Sequence, residues 1–415
     1  MAETPGHAAR RGALKLLDAV LRRGETLDQA EKPAMRGIKG PADRALARAI
    51  AGETLRWLAD LDALIDSATK KRLPDDAKPR GVLRLMLAQW LRLDTPPHAV
   101  IATGLPLLAG GPRRLAHGVF STLTKRAVTL PDVPTLPDAV QQRWGAAAAE
   151  IAPGLIDPPE LDLTLKDPGE TQARTVAMGA VSLMPGHLRL PRGTPVDRMP
   201  SFEEGAWWVQ DFAAQLPARL LCDGDGKRVL DVCAAPGGKT MQLAAQGWQV
   251  TALDISERRI DLMRENLGRT GLEAEIVNAD ALAYTPAKHF DAILLDAPCT
   301  ATGTCRRHPD VLHRVGPRQI GEMVDMQRAL IARAVEWLPA GATFIYAVCS
   351  LEREEGEDQA AWIDASLGLT PLPISADELP EGVKPTAEGW LRTHPGMIPE
   401  QGGMDGFFIA RWRKK

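Results

Sequence analysis

Two of the five cysteines stand where a thiol can do chemistry. Cys299 closes the run Asp296-Ala297-Pro298-Cys299, and Cys349 sits in Tyr346-Ala347-Val348-Cys349-Ser350. Each follows an apolar run that reads as a buried strand, so both fall at carboxyl ends of strands, where they would face one cleft. A thiolate that adds to carbon 6 of a cytosine makes carbon 5 enamine-like. Carbon 5 can then attack a sulfonium methyl group. A base afterwards removes the carbon-5 proton and the thiolate leaves, so one hard step becomes several easier ones. A free thiol ionises near pH ~8.5, so such a site must help it ionise or attack. One strand-end cysteine alone reads more simply as packing; a pair on this scaffold points to covalent methyl transfer.

A second set of residues suits the methyl donor. The strand Arg228–Val232 runs into Cys233-Ala234-Ala235-Pro236-Gly237-Gly238-Lys239-Thr240. Two glycines let a ligand approach the backbone, and the helix expected from about Lys239 to Ala245 offers unpaired amides at its start. Lys239-Thr240 and the apolar strand ending at Asp296 imitate a nucleotide-binding P-loop. That motif needs glycine five positions before Gly238, where Cys233 stands. A nucleoside without phosphate is the better reading. Asp254 ends the second strand, at the spacing of an acid that holds ribose hydroxyls, although it would equally serve as a helix N-terminal charge, and Ser256 could fill that cap. Asn278-Ala279-Asp280 ends the third strand and Asp296 the fourth. Three strand-end acids in order fit S-adenosylmethionine.

The elements that must position these groups fall into two styles. From residue 8 to 130 the pattern is helical. Ala13, Leu16, Leu17, Val20 and Leu21 recur at helical spacing, as do Leu46, Ile50, Thr54, Leu55, Leu58 and Leu61, and Val82–Leu91 is dense enough for a buried helix. Proline is frequent from 130 to 205, and Leu161–Leu165 and His187–Leu190 read there as short strands. After 205, strand and helix alternate: Gln249–Asp254, helix Glu257–Gly268, then Glu275–Asn278, Phe290–Asp296, Ala342–Ala347 and a closing Phe407–Trp412. That alternation predicts a doubly wound, Rossmann-like α/β sheet behind an all-α N-terminal domain. The expected domains are 1–130, a linker and small α/β element over 131–204, and 205–415.

Bulk composition narrows the class. The 415 residues are 45% hydrophobic and 25% charged, ordinary for a globular chain. No stretch approaches the ~20 apolar residues of a membrane span. Met1-Ala2-Glu3-Thr4-Pro5 opens no apolar leader, so a cytoplasmic protein is expected. Five cysteines without a CxxC pair argue against a disulfide framework or a zinc ribbon, and no metal is expected. The net charge of −3 hides an asymmetry: residues 1–130 hold 22 Lys and Arg against 13 Asp and Glu. Such an excess attracts phosphate backbones, or simply forms a solvated helical surface.

The motifs together resemble the Sun/Nop family of RNA cytosine-5 methyltransferases, nearest its bacterial small-subunit ribosomal RNA branch, over nearly the whole chain. Asp231–Thr240, Asp296–Cys299 and Cys349-Ser350 carry the likeness, with Gly205–Leu216 as the approach to the cofactor strand. The resemblance implies S-adenosylmethionine held by Cys233, Ala234, Ala235, Pro236, Gly237, Gly238, Lys239, Asp254, Asp280 and Asp296. It implies Cys349 as nucleophile, Cys299 as the cysteine that assists release, and Asp296 as a group that also touches the target base. The front domain resembles the helical RNA-binding fold of the antitermination factor NusB, through Asp43-Arg44, Leu55-Arg56, Pro97-His98-Ala99 and Val119–Leu123. It implies structured RNA as partner, small-subunit rRNA in particular, for a protein expected to act as a monomer. Two departures stand out. Val348 replaces the Thr usual before the nucleophile, and residues 140–200 match poorly. Cys222 and Cys305 match no catalytic motif, and Arg306-Arg307-His308 reads either as a phosphate contact or as solvated surface. A DNA cytosine-5 methyltransferase, in which the Pro-Cys cysteine is itself the nucleophile, a methyltransferase acting on tRNA, and a non-catalytic RNA-binding or assembly factor stay open beside the rRNA reading.

Overall fold

Helix signals and packing agree in the first part of the chain. A computed structural model describes residues 6–415; Met1–Pro5, where no apolar leader was expected, lie outside the described residues. The helices His7–Arg23, Leu27–Ala34, Pro41–Arg56, Leu58–Ser67, Lys78–Arg92, Pro97–Gly104 and Gly110–Lys125 follow in order. Gly24 ends the first in the left-handed conformation that glycine adopts without strain. Thr26 and Gln29 form a capping box on the second. The apolar period that ran unbroken from Leu46 to Leu61 is interrupted at Trp57, which caps one helix and opens the next while its ring is buried.

Two arginines lie inside this helical unit. Arg80 donates to Asp62 at 3.0 Å and to Asp66 at 2.7 Å, and Arg84 donates twice to Asp62 at 2.7 Å. Two of the 22 cations are therefore turned inward onto acids already counted among the 13. The compact unit comprises the described residues up to 156 together with 307–315, a short segment from far along the chain. His313 Nε2 lies 2.7 Å from the Leu55 carbonyl, and burial lowers the pKa of that imidazole.

The second unit comprises 157–306 and 316–415. It opens with a three-stranded antiparallel sheet, β1 (Leu161–Leu165), β2 (His187–Leu190) and β3 (Trp207–Val209), in the order β2-β1-β3. Asp162 fastens this sheet internally, accepting from Arg189 Nε at 2.7 Å and from the Phe212 amide at 3.1 Å. The main sheet follows, with β4 (Arg228–Val232), β5 (Gln249–Asp254), β6 (Glu275–Asn278), β7 (Ala292–Asp296), β8 (Thr343–Val348), β9 (Leu369–Pro371), β10 (Leu391–Arg392) and β11 (Phe408–Lys414). Its order is β10-β11-β8-β7-β4-β5-β6, with β9 paired to β11.

Strands β4 to β8 are mutually parallel, and β11 pairs antiparallel with β8. Side chains alternate between faces. Leu230, Val232, Ile293, Leu295, Phe344 and Tyr346 pack in one core with the helices Pro317–Glu336 and Glu357–Ser366; Val229, Ala292, Leu294 and Ile345 pack in another with the helix Phe212–Arg219. Both faces are covered, which is why the strands read as continuous apolar runs. The chain leaves β4 toward β5 on one side and β7 on the other, so the crevice for a ligand lies at the carboxyl end of β4. The predicted class, an all-α domain followed by a doubly wound α/β sheet, is the one found.

Candidate active site

The turn after β4 is shaped for close approach. Cys233 has φ +62° and Gly237 φ +101°, a conformation that L side chains rarely adopt. A Cβ at Gly237 would stand 2.6 Å from Met263 Cγ. Asp254, at the end of β5, holds this turn from the side. Its Oδ2 accepts the Ala235 amide at 3.0 Å and its Oδ1 the Ser256 amide at 2.8 Å. Ser256 makes no side-chain cap bond, so Asp254 rather than Ser256 serves the following helix. Arg259 Nη2 lies 3.8 Å from Asp254 Oδ2, and Oδ1 keeps a second lone pair for a hydroxyl. Asp280 is exposed beyond β6, and its Oδ1 accepts the Leu282 amide at 2.9 Å.

Lys239 and Asp296 are a closed pair. The ammonium lies 2.6 Å from Asp296 Oδ2 and 5.2 Å from the centre of the Phe407 ring. Burial opposes the charge on Lys239, but Asp296 outweighs burial and its pKa is raised. Asp231 is fully buried; Oδ2 accepts from Thr240 Oγ1 at 2.6 Å, and Oδ1 has no partner. Burial pushes its carboxyl up to about 7.

The two strand-end thiols meet. Cys299 Sγ and Cys349 Sγ are 3.5 Å apart, both partly exposed. The hydrogen bond with Cys349, reinforced by burial, holds the Cys299 pKa well above that of an ordinary thiol. The loop beyond β7 returns to Cys349, whose carbonyl accepts the Gly303 amide at 3.0 Å. The remaining cysteines are elsewhere or inert. Burial pushes Cys233 up to about 12, so it stays a thiol. Cys305 is fully buried. The Cys222 carbonyl accepts from Trp248 Nε1 at 2.9 Å, at the amino end of β5. Arg306 is 3% exposed and donates to the Gly402 carbonyl at 2.6 Å, so it is not solvated surface.

Three residues escaped the sequence reading. Ile255, directly after Asp254, stands 69% exposed at the carboxyl edge of β5. Its signal was a β-branched apolar residue where the strand should have ended. Phe407 covers Lys239 from the far end of the chain, which no local pattern announces. Glu355 lies buried behind both cysteines, in an acidic run that reads as surface.

The donor set fits a nucleoside cofactor without phosphate. The lysine on the Gly-rich turn is engaged by Asp296, and carboxylates stand at the ends of β5 and β7 and just beyond β6. Such a rim repels phosphate and accepts hydroxyls and amines.

Comparison with known proteins adds to this geometry. Residues 218–413 match the family model described as 16S rRNA methyltransferase RsmB/F, and residues 7–107 match the NusB family. A ribosomal RNA small subunit methyltransferase B from Klebsiella pneumoniae (strain 342) is 31% identical over 439 residues, covering 97% of both chains. The crystal structure of PH0851 has a TM-score of 0.72 at 20% identity and covers 100% of both chains, a likeness of fold. A methyltransferase homologue from Pyrococcus horikoshii has a TM-score of 0.57 at 27% identity, over 67% of this chain and 94% of that one.

Proposed function

The chain belongs to the 16S rRNA methyltransferase RsmB/F family, and from that membership we propose that it methylates carbon 5 of a cytosine in small-subunit rRNA through a covalent adduct on Cys349. It is an S-adenosylmethionine-dependent rRNA methyltransferase; S-adenosylmethionine supplies the electrophilic methyl group. The observation that supports the finer reading is the thiol pair at 3.5 Å, at the ends of β7 and β8.

In this reading the cofactor rests on Cys233–Lys239, with Asp254, Asp280 and Asp296 on its polar rim. Cys349 adds to carbon 6 of the base, which places a nucleophilic carbon 5 toward the methyl donor. After transfer, a base takes the carbon-5 proton, the freed electron pair re-forms the double bond between carbons 5 and 6, and the Cys349 sulfur leaves as a thiolate. Cys299 stands beside the sulfur that must leave and remains a thiol, the form that can supply a proton to it. Asp296, held by Lys239, meets the target base. Residues 1–130 hold the structured RNA, and a monomer acting in the cytoplasm suffices. Among the described residues no helix is long and apolar enough to cross a membrane.

The direct test is methyl transfer from labelled S-adenosylmethionine to small-subunit rRNA, followed by nucleoside analysis. The label should appear as 5-methylcytidine. Label in another nucleoside, or none despite cofactor binding, overturns the proposed chemistry.

A further inference from the structure

The loops carrying the two cysteines are joined behind the thiols by one carboxylate. Glu355 is fully buried. Its Oε1 accepts the Thr300 amide at 2.9 Å and Gln327 Nε2 at 3.0 Å. Its Oε2 accepts the hydroxyls of Thr300 and Ser350. Thr300 follows Cys299 and Ser350 follows Cys349, so one oxygen holds the residue after each thiol. Gln327 also donates to the carbonyl of Pro298, the residue before Cys299, at 3.0 Å. Gln359 fixes the Gln327 amide at 3.1 Å. From β8, the Tyr346 hydroxyl donates to the Glu355 carbonyl at 2.7 Å.

We propose that Glu355 is a positioning residue for the two-cysteine reaction, fixing through one buried carboxylate the backbone around both thiols. This rests on the reading of Cys349 as nucleophile and Cys299 as its partner in release. Burying a carboxylate is costly, and a hydrophobic core would be simpler. What the carboxylate gives is a shared reference: four donors from two loops and a helix converge on it, so neither cysteine loop can shift alone. The charge has a direction too. Burial raises the Glu355 pKa against the four hydrogen bonds that favour its charge; ionised, the carboxylate adds to the hydrogen bond and burial that keep the Cys299 thiol protonated. Glu355 thereby helps to keep Cys299 the proton-bearing member of the pair.

The test uses the full-length protein with Glu355→Gln and Thr300→Val, beside Cys299→Ala. S-adenosylmethionine binding, methyl-transfer rate, covalent protein–RNA adduct on denaturing gels and the pH profile of Cys299 alkylation by iodoacetamide are compared with wild type. Glu355→Gln should bind the cofactor within about twofold and transfer methyl at least tenfold more slowly. It should accumulate adduct, and alkylate Cys299 several-fold faster at pH 8. Methyl transfer within twofold of wild type, or an unchanged alkylation profile, overturns the proposal. If Glu355→Gln fails to bind cofactor, Thr300→Val decides on the rate and adduct readouts. Absence of adduct with Cys299→Ala instead sinks the two-cysteine reading, while the Cys299 alkylation profile still reports on Glu355.

Discussion

Each thiol at the carboxyl edge of the main sheet has a different environment. Cys233 is half-buried among carboxylates and stays protonated. Cys299 is held protonated by its neighbour Cys349 and by burial. Cys349 is partly exposed in the same cleft. Cys349→Ala should therefore abolish methyl transfer while leaving S-adenosylmethionine binding within about twofold, and Cys299→Ala should accumulate a covalent adduct with RNA. Adduct with Cys349→Ala and none with Cys299→Ala means that the roles are reversed. Asp231 gives a prediction about pH. An unfolded aspartate ionises near 3.8, whereas the buried group does so near 7. Between these values the folded chain keeps a proton that the unfolded chain has lost. Stability is thus highest below the window and falls as pH rises through it. Asp231→Asn removes that loss. Urea unfolding at pH 4 and pH 7.5 should show the variant gaining on wild type as pH rises, by at most on the order of 4 kcal/mol. A difference independent of pH would mean that Asp231 does not titrate there.

Strand ends aim the site, and the loops beyond them are packed too closely to drift. Gly303 donates to the Cys349 carbonyl and accepts the Gly406 amide at 2.9 Å. A Cβ at Gly303 would collide with the Gly406 carbonyl and stand 3.0 Å from the Cys349 carbonyl. Gly303→Ala should therefore push the loop after β7 away from Gly406, just before β11, and from the Cys349 carbonyl. The expected loss is about 1–3 kcal/mol of stability, typical of overpacking, with a larger fractional loss of methyl transfer than of cofactor binding. Equal losses of both would place the damage in the fold as a whole. Val348 bears on the same element. It is fully buried on β8, and the hydroxyls near Cys349 come instead from Ser350, Thr300 and Thr302, with Thr302 Oγ1 3.2 Å from Ser350 Oγ.

For the whole molecule, the question is where RNA is held. The 22 cationic residues of 1–130 overstate the available charge, because Arg80 and Arg84 are turned inward onto Asp62 and Asp66. The stretch 101–130 has Arg113, Arg114, Lys125 and Arg126 exposed and no acid. The double variant Arg113→Glu, Arg114→Glu should weaken binding of small-subunit rRNA by about tenfold or more at moderate salt and flatten its salt dependence, since fewer counterions are released. S-adenosylmethionine binding should be unchanged. Unaltered rRNA affinity would move the RNA-holding surface away from this helix.

Much of the fold was legible because buried parallel strands are apolar by necessity. Arg228–Val232, Gln249–Asp254 and Glu275–Asn278 emerge with the boundaries read from sequence. Leu161–Leu165 and His187–Leu190 do so as well. Strand ends also sufficed to bring Cys299 and Cys349 toward one cleft, since β7 and β8 are parallel neighbours and carry their termini to the same edge. Short strands such as Trp207–Val209 and Leu391–Arg392 exist only because a partner strand supplies their hydrogen bonds, and nothing local marks them. The same holds for Phe407 over Lys239 and for residues 307–315 within the helical unit. Glu355 is the sharpest case. By composition Glu352–Glu357 is a solvated acidic run, yet folding buries Glu352 and Glu355, the latter where donors from Thr300, Gln327 and Ser350 converge. A sequence fixes which residues are apolar and which can react; only the tertiary structure decides which polar group finds enough donors to be buried, because those donors come from chain segments far apart.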